Sequence, residues 1–404
     1  MTATDARRPP SPNQVRAATR ATYAAFIGSG FAFASWASRI PQVRNQLELS
    51  PAELGLVLLA IAAGSLLALP LSGPLIARFG SRRTVILTSV LLAAALAVVA
   101  AGSSVGVVLL VLGLFGMGVG NGAWDVAMNV QAAVVERLLG RAVMSRFHAG
   151  FSLGTVIGAG LGVAMIALHV PVPAHLLGVA VVVGVAVPLS VRHFVADVED
   201  AGDGAPTPTG SGALRAWREP RTLFIGVFVL AFAFAEGAAN DWISVASIDG
   251  LGTSAVVGTI GYAVFLVAMT AVRWAGPPLL ERWGRVPMVR VLALLGVAGL
   301  LLFVFGPNPV VAFAGALLWG AGASLGFPVG MSAAADDPAR AAGRVSVVAS
   351  IGYCAFLGGP PLIGVLGQSV GVLHALTVVA VLLALATAIA GALRPPPGCS
   401  EQAV

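Results

Sequence analysis

Five charged side chains fall within long apolar stretches of this 404-residue chain: Arg39, Asp125, Glu236, Asp241 and Arg273. A charge near the centre of a bilayer costs ~2.5 kcal/mol or more, so those that persist there commonly line a solute or proton path. Asn121, Asp125 and Asn129 are spaced by four and share one helix face. Trp124 and Met128 flank that face and could contact a solute. Glu236 and Asn240 repeat the spacing, with Ser244 one turn further. The chemistry these groups suggest is a carboxylate that gains and loses a proton as a small solute loads and unloads. The plain alternative is a structural acid paired with an arginine. Arg273 could bind an anionic group of the solute, neutralise Glu236 or Asp125, or snorkel to the headgroups.

At 1.5 Å per helical residue, Asp125 lies ~18 Å and Glu236 ~21 Å from the cytoplasmic ends of their spans. Both depths are near mid-membrane. Arg39 and Asp241 come out at equal depth, ~28 Å, and Arg273 at ~12 Å. Opposite charge and equal depth suggest an outer gate formed by Arg39 and Asp241, with Trp36 beside it. Two residues facing external water separately is the alternative.

The elements that carry these residues must be membrane helices. The chain is 58% hydrophobic and 10% charged, against about a quarter charged in soluble domains. Runs such as 85–102 and 291–305 are almost free of charge. Every basic residue is Arg, and no Lys occurs. A phosphate-binding Walker loop and a retinal Schiff base both need Lys, so an ATPase and a rhodopsin-like pump are excluded. Two cysteines, Cys354 and Cys399, make no disulfide framework, and no Cys/His cluster has metal-ligand spacing. No metal or other cofactor is expected. The net charge of +6 is explained by membrane topology and calls for no nucleic acid.

Twelve spans are expected, near 20–43, 52–77, 84–102, 106–135, 147–168, 173–192, 222–246, 254–280, 287–305, 309–333, 345–367 and 372–393. With this count nearly all arginines outside the spans fall on the side of both termini, and only Arg39 and Arg44 oppose them. Basic loops stay inside, so both termini are expected in the cytoplasm. The Pro- and Gly-containing stretch 194–221 is a cytoplasmic linker between six-helix bundles at 20–193 and 222–393, with tails at 1–19 and 394–404. The bundles repeat. Gly73-Pro-Leu-Ile-Ala-Arg-Phe-Gly80 resembles Gly276-Pro-Pro-Leu-Leu-Glu-Arg-Trp-Gly284, and Gly116-x-Gly118 resembles Gly320-x-Gly322, at offsets of 203 to 204. A duplicated six-helix unit suits a transporter that moves two halves about a central site.

At the loop after the second span the chain resembles the major facilitator superfamily (MFS), whose motif there reads Gly-x-x-x-Asp-Arg-x-Gly-Arg-Arg. This sequence supplies Gly73, Arg78, Gly80, Arg82 and Arg83, but Ala77 stands in the place of the acid. The second half keeps the acid in Glu281-Arg282-Trp-Gly284. In the family this loop latches the cytoplasmic side by charge contacts, a role the missing acid weakens in the first half. Asn121-Gly-Ala-Trp-Asp-Val-Ala-Met-Asn129 and Gly352-Tyr-Cys-Ala-Phe-Leu-Gly-Gly-Pro-Pro361 are similar to the YbjJ-type, fucose-permease-like branch. The resemblance implies an all-α membrane protein of two pseudo-symmetric six-helix bundles. It implies a secondary active transporter in a bacterial inner membrane, monomeric, alternating access to a small solute and coupled to protons. Efflux of a small organic compound and uptake of a sugar-like solute both stay open. The alternative is a polytopic protein that does not transport, either a receptor or a membrane enzyme. A receptor needs a soluble output domain, and a membrane enzyme a Ser/His or metal cluster within spans. The five histidines fall at span ends or loops.

Overall fold

The computed structural model describes residues 10–140, 143–197, 215–337 and 340–395. Arg7, Arg8, Arg141, Cys399 and most of the expected linker, including Glu199, Asp200 and Asp203, lie outside the described residues. The fold is all-α, with no strand among the described residues. Among the described residues, ten helices are long and apolar enough to cross a membrane.

The first half comprises α1 (Pro12–Ala37), α2 (Ile40–Gln46), α3 (Pro51–Val105), α4 (Val107–Leu139), α5 (Met144–Ala167) and α6 (Val172–Val191). The second comprises α7 (Pro220–Leu251), α8 (Ala255–Trp283), α9 (Arg285–Phe305), α10 (Pro309–Ala323), α11 (Gly326–Ala334), α12 (Ala341–Val370), α13 (Val372–Ala375) and α14 (Thr377–Ile389), closed by a 3₁₀ turn at Ala390–Leu393. Proline at the start of α2 separates it from α1, because Pro41 suits a first turn and not a helix interior. The 55-residue α3 is broken at Gly80, whose φ of 77° favours glycine. Its two arms are the second and third expected spans. Gly284 takes the same backbone conformation, φ 77° and ψ 162°, between α8 and α9. The internal repeat thus extends to single dihedral angles.

The helices form two compact units. One contains Met1–Trp36, Ala60–Gly158 and Val170–Ala201, and the other Ala37–Leu59, Ala159–His169 and Gly202–Val404. In the first unit α1 and α5 touch backbone to backbone. A Cβ added at Gly154 would sit 2.2 Å from the Ile27 carbonyl oxygen, and one at Gly30 2.2 Å from that of Phe151. Small residues let membrane helices approach this closely, where dispersion and lipid release rather than water drive association. In the second unit α12 packs on α7, with Gly352 against the Val229 side chain. There too the start of α3 lies on α12, since a Cβ at Gly55 would meet the Pro360 carbonyl oxygen at 2.4 Å.

Candidate functional site

Asp125 sits midway along α4, half-buried, on the polar stripe expected for it. The Asn129 side-chain amide donates to the Asp125 backbone oxygen at 2.9 Å and to its carboxylate at 3.3 Å. The Ser29 hydroxyl on α1 donates to the Asn121 amide oxygen at 3.0 Å. No ion pair involves Asp125 among the described residues. Its carboxylate is therefore answered by an amide and not by a cation. Trp124 and Met128 are fully buried, and the Trp124 ring packs beside Gly28 of α1.

The second half handles its acid differently. The Arg273 guanidinium on α8 donates to Glu236 of α7 at 2.8 Å, and its Nε donates to the backbone oxygen of Ser324 at 3.1 Å. Ser324 and Leu325 form the break between α10 and α11. The break follows from Pro328, which has no N–H to offer the carbonyl four residues earlier, that of Ser324. Close packing holds the two pieces in place. A Cβ at Gly326 would fall 2.1 Å from the Phe232 ring, and Leu325 covers Gly276 of α8. Asn240 accepts a hydrogen bond from the Tyr262 hydroxyl at 3.2 Å. Of the three fates open to Arg273 in the sequence, the geometry is the pairing with Glu236. The Ser324 carbonyl was not anticipated, although Pro328 is its signal.

Past the end of α1 an ion pair joins Arg44 to Asp249, and Arg44 also donates through Nε to the Leu49 carbonyl at 3.1 Å. Asp241 is half-buried and makes no ion pair among the described residues. Arg39 caps the start of α2 and is buried, as are Trp36 and Trp242.

The loop motif surrounds the Gly80 turn of α3. Gly73, Arg78, Arg82 and Arg83 are exposed, with the Arg78 guanidinium 5.5 Å from the centre of the Phe79 ring. The acid missing at Ala77 has a counterpart from elsewhere in the chain. Asp197 accepts from the Ser81 backbone N–H at 2.6 Å and from its hydroxyl at 2.5 Å, at the turn made by Gly80. In the second half Glu281 and Arg282 are exposed, while Asp336 accepts from Arg285 at 2.5 Å and from Arg221 at 2.8 Å. Glu219, just before α7, accepts from Arg344 at 2.6 Å and Thr222 at 2.9 Å. Burial pushes the Glu219 carboxyl up, but those hydrogen bonds and the charges of Arg344 and Arg340 outweigh it and hold it below its ordinary value.

Bundled membrane helices, an internal repeat and acids at mid-span define a secondary transporter. The profile of the Major Facilitator Superfamily matches residues 22–358, and the chain belongs to that family. It is 32% identical to the "Uncharacterized transporter y4wD" of Sinorhizobium fredii over 378 residues, covering 93% of this chain and 98% of that protein. It is 30% identical to the "Membrane protein MosC" of Rhizobium meliloti over 353 residues, 87% of this chain and 84% of that one. Among solved structures, the nucleoside transporter NupG aligns with a TM-score of 0.72 at 15% identity, over 94% of this chain and 98% of that one. The E. coli fucose:proton symporter FucP aligns at 0.61 and 16%, over 93% and 98%. The chain is a multi-pass membrane transporter that works by alternating access, and it is not an enzyme.

Proposed function

We propose that this transporter couples protons to the movement of a small polar solute, with Asp125 as the proton-carrying group. The observation that carries the reading is the Asp125 carboxylate itself. It lies at mid-helix, half-buried, beside an amide and with no ion pair among the described residues. An acid in that setting has no fixed counter-charge, so its cheapest neutral state is the protonated one. Asn121 and Asn129 supply amide groups of the kind that recognise hydroxylated solutes, which agrees with a fucose-permease-like branch. Twelve spans follow when α1 and both arms of α3 are counted as crossings. The arginine distribution supports cytoplasmic termini and a cytoplasmic linker.

The test is transport by purified protein in liposomes carrying an internal pH-sensitive dye. L-fucose and nucleosides are the first solutes to try, given the printed names of FucP and NupG. A solute gradient should move protons in the wild type. Asp125→Asn should abolish proton movement and gradient-driven uptake while leaving solute exchange between loaded vesicles. A mutant with full pH-driven uptake removes Asp125 from the mechanism.

A further inference from the structure

Hydroxyl side chains inside these spans commonly donate to their own helix. Thr22 of α1 donates to the Ala18 carbonyl at 2.9 Å, Ser72 to that of Ala68 at 2.7 Å and Ser103 to that of Ala100 at 2.7 Å. Such local bonds satisfy the group where no water reaches it. Ser29 departs from the pattern. It is 1% exposed, and its hydroxyl leaves α1 to donate to the Asn121 amide oxygen on α4 at 3.0 Å. Its neighbours hold it there. A Cβ at Gly30 would sit 2.2 Å from the Phe151 carbonyl oxygen of α5, and one at Gly28 2.7 Å from a Val187 methyl of α6 and 3.6 Å from the Trp124 ring. Glycine on both sides thus seats α1 against three helices, and the serine between them has a fixed direction.

The bond decides which end of Asn121 is left to a ligand. Its oxygen is turned to Ser29, and its NH2 has no partner among the described residues. Asn129 is oriented in the opposite sense. Its NH2 goes to the Asp125 backbone oxygen at 2.9 Å and carboxylate at 3.3 Å, which leaves its own oxygen. In helical order the stripe therefore reads donor, carboxylate, acceptor, with about 6 Å of rise between one and the next. All three side chains are half-buried.

We propose that Ser29 is a positioning residue that fixes the polarity of this stripe, and that the stripe selects an uncharged, polyhydroxylated solute. A hydroxyl both accepts and donates, so such a solute accepts from Asn121 and donates to Asp125 and Asn129. A carboxylate offers acceptors only and would set its charge against Asp125 and the Asn129 oxygen. An ammonium offers donors only and would meet the Asn121 NH2. Either charged analogue is thus opposed at one end of the stripe. The inference rests on the reading of this stripe as the solute site and adds to it the sign and direction of recognition.

The experiment measures binding to the purified protein in detergent at mildly alkaline pH, first by ligand-induced shifts in melting and then by calorimetry. The probes are D-glucose, D-galactose, L-fucose and D-ribose, each with its alditol, its aldonate and its 1-amino-1-deoxyalditol, together with uridine and adenosine. At least one uncharged probe should bind, and its acid and amine counterparts should bind at least tenfold more weakly. Ser29→Ala should weaken that probe roughly threefold to tenfold, the scale of one neutral hydrogen bond, and Ser29→Thr, which keeps the hydroxyl, should restore it. Asn121→Asp turns the donor end into an acceptor and should reverse the order in favour of the amine. No proton gradient is present, so a protein that fails the proton-coupling test can still pass this one. A panel in which no uncharged probe binds, or in which the acid or the amine binds as tightly, overturns the solute class. A Ser29→Ala protein whose unliganded melting temperature falls while its affinity holds overturns the positioning role.

Discussion

The fourth span and its counterpart in the second half descend from one repeated unit, yet they differ at mid-membrane. At the offset that pairs Gly118 with Gly322, Pro328 falls at Trp124. With tryptophan there, α4 runs unbroken for 33 residues and keeps its backbone hydrogen bonds. With proline there, the counterpart breaks into α10 and α11 and exposes a carbonyl. An arginine is needed to satisfy that carbonyl, and an acid is needed to hold the arginine. The first half needs neither, so Asp125 is left with only an amide to answer it. One proline in a repeated helix thus changes how the two spans satisfy their buried polar groups.

The largest effect is expected at packing sites that differ in their neighbours. Gly154 on α5 would bring a Cβ to 2.2 Å of the Ile27 backbone oxygen, and Gly320 on α10 one to 2.2 Å of that of Phe265, while at Gly359 on α12 the nearest atom is Phe234 Cε2 at 3.6 Å. Backbone cannot move aside as a side-chain tip can. Gly154→Ala should destabilise the protein by about 1–3 kcal/mol or more through overpacking, and Gly359→Ala should be near neutral. Thermal melting of the two purified variants checks this. Equal melting temperatures would mean that the two sites tolerate added bulk alike.

Much of this was legible in the sequence. The stripe Asn121–Asp125–Asn129 and the pair Glu236–Asn240 follow from helical period, and the repeat from matched glycines. The contacts between distant segments were not legible. Ser81 and Asp197 are 116 residues apart, and no local pattern predicts that one caps the other. The depth arithmetic that paired Arg39 with Asp241 assumed a straight first span. In fact α1 ends at Ala37 and Pro41 starts a new helix, so residues beyond that point do not continue the same rise. Arg44, further along, pairs with Asp249. Pro328 was readable as a break, but which cation would take the freed carbonyl depended on tertiary packing.

A smaller effect is expected at the ion pair of Arg44 with Asp249. The two side chains are partly exposed, 16% and 35%, so solvent screens the pair and its coupling should be ~0.2–1 kcal/mol. Arg44→Ala and Asp249→Ala should each lower the melting temperature slightly, and the double variant by less than their sum. Additive losses would show that the two side chains act separately.

The smallest effect is expected at the starts of α5 and α12, where the halves again use acids differently. In the first half Glu136 accepts from the backbone N–H groups of Val143 and Met144, at 2.7 and 2.6 Å, and so caps the start of α5. A carboxylate at a helix N-terminus is favoured by the unpaired N–H groups and the helix dipole. In the second half the start of α12 is held instead by Arg344, which donates to Glu219. Glu219 is held below its ordinary 4.5 in the folded protein. A carboxylate with a depressed folded value binds fewer protons folded than unfolded in the range between the two values. It therefore adds stability above its unfolded value, and that stability is lost as pH falls through the lower, folded one. The opening of the first turn of α12 should accordingly become easier below the usual glutamate range of about 4.3, and Glu219→Gln should show that ease already at neutral pH. Added salt should loosen the same turn through screening and should affect the backbone-capped start of α5 less. Hydrogen exchange of the two first turns, compared across pH and salt in one sample, measures both. If the starts of α5 and α12 respond alike, the two ways of holding a helix end are equivalent in this protein.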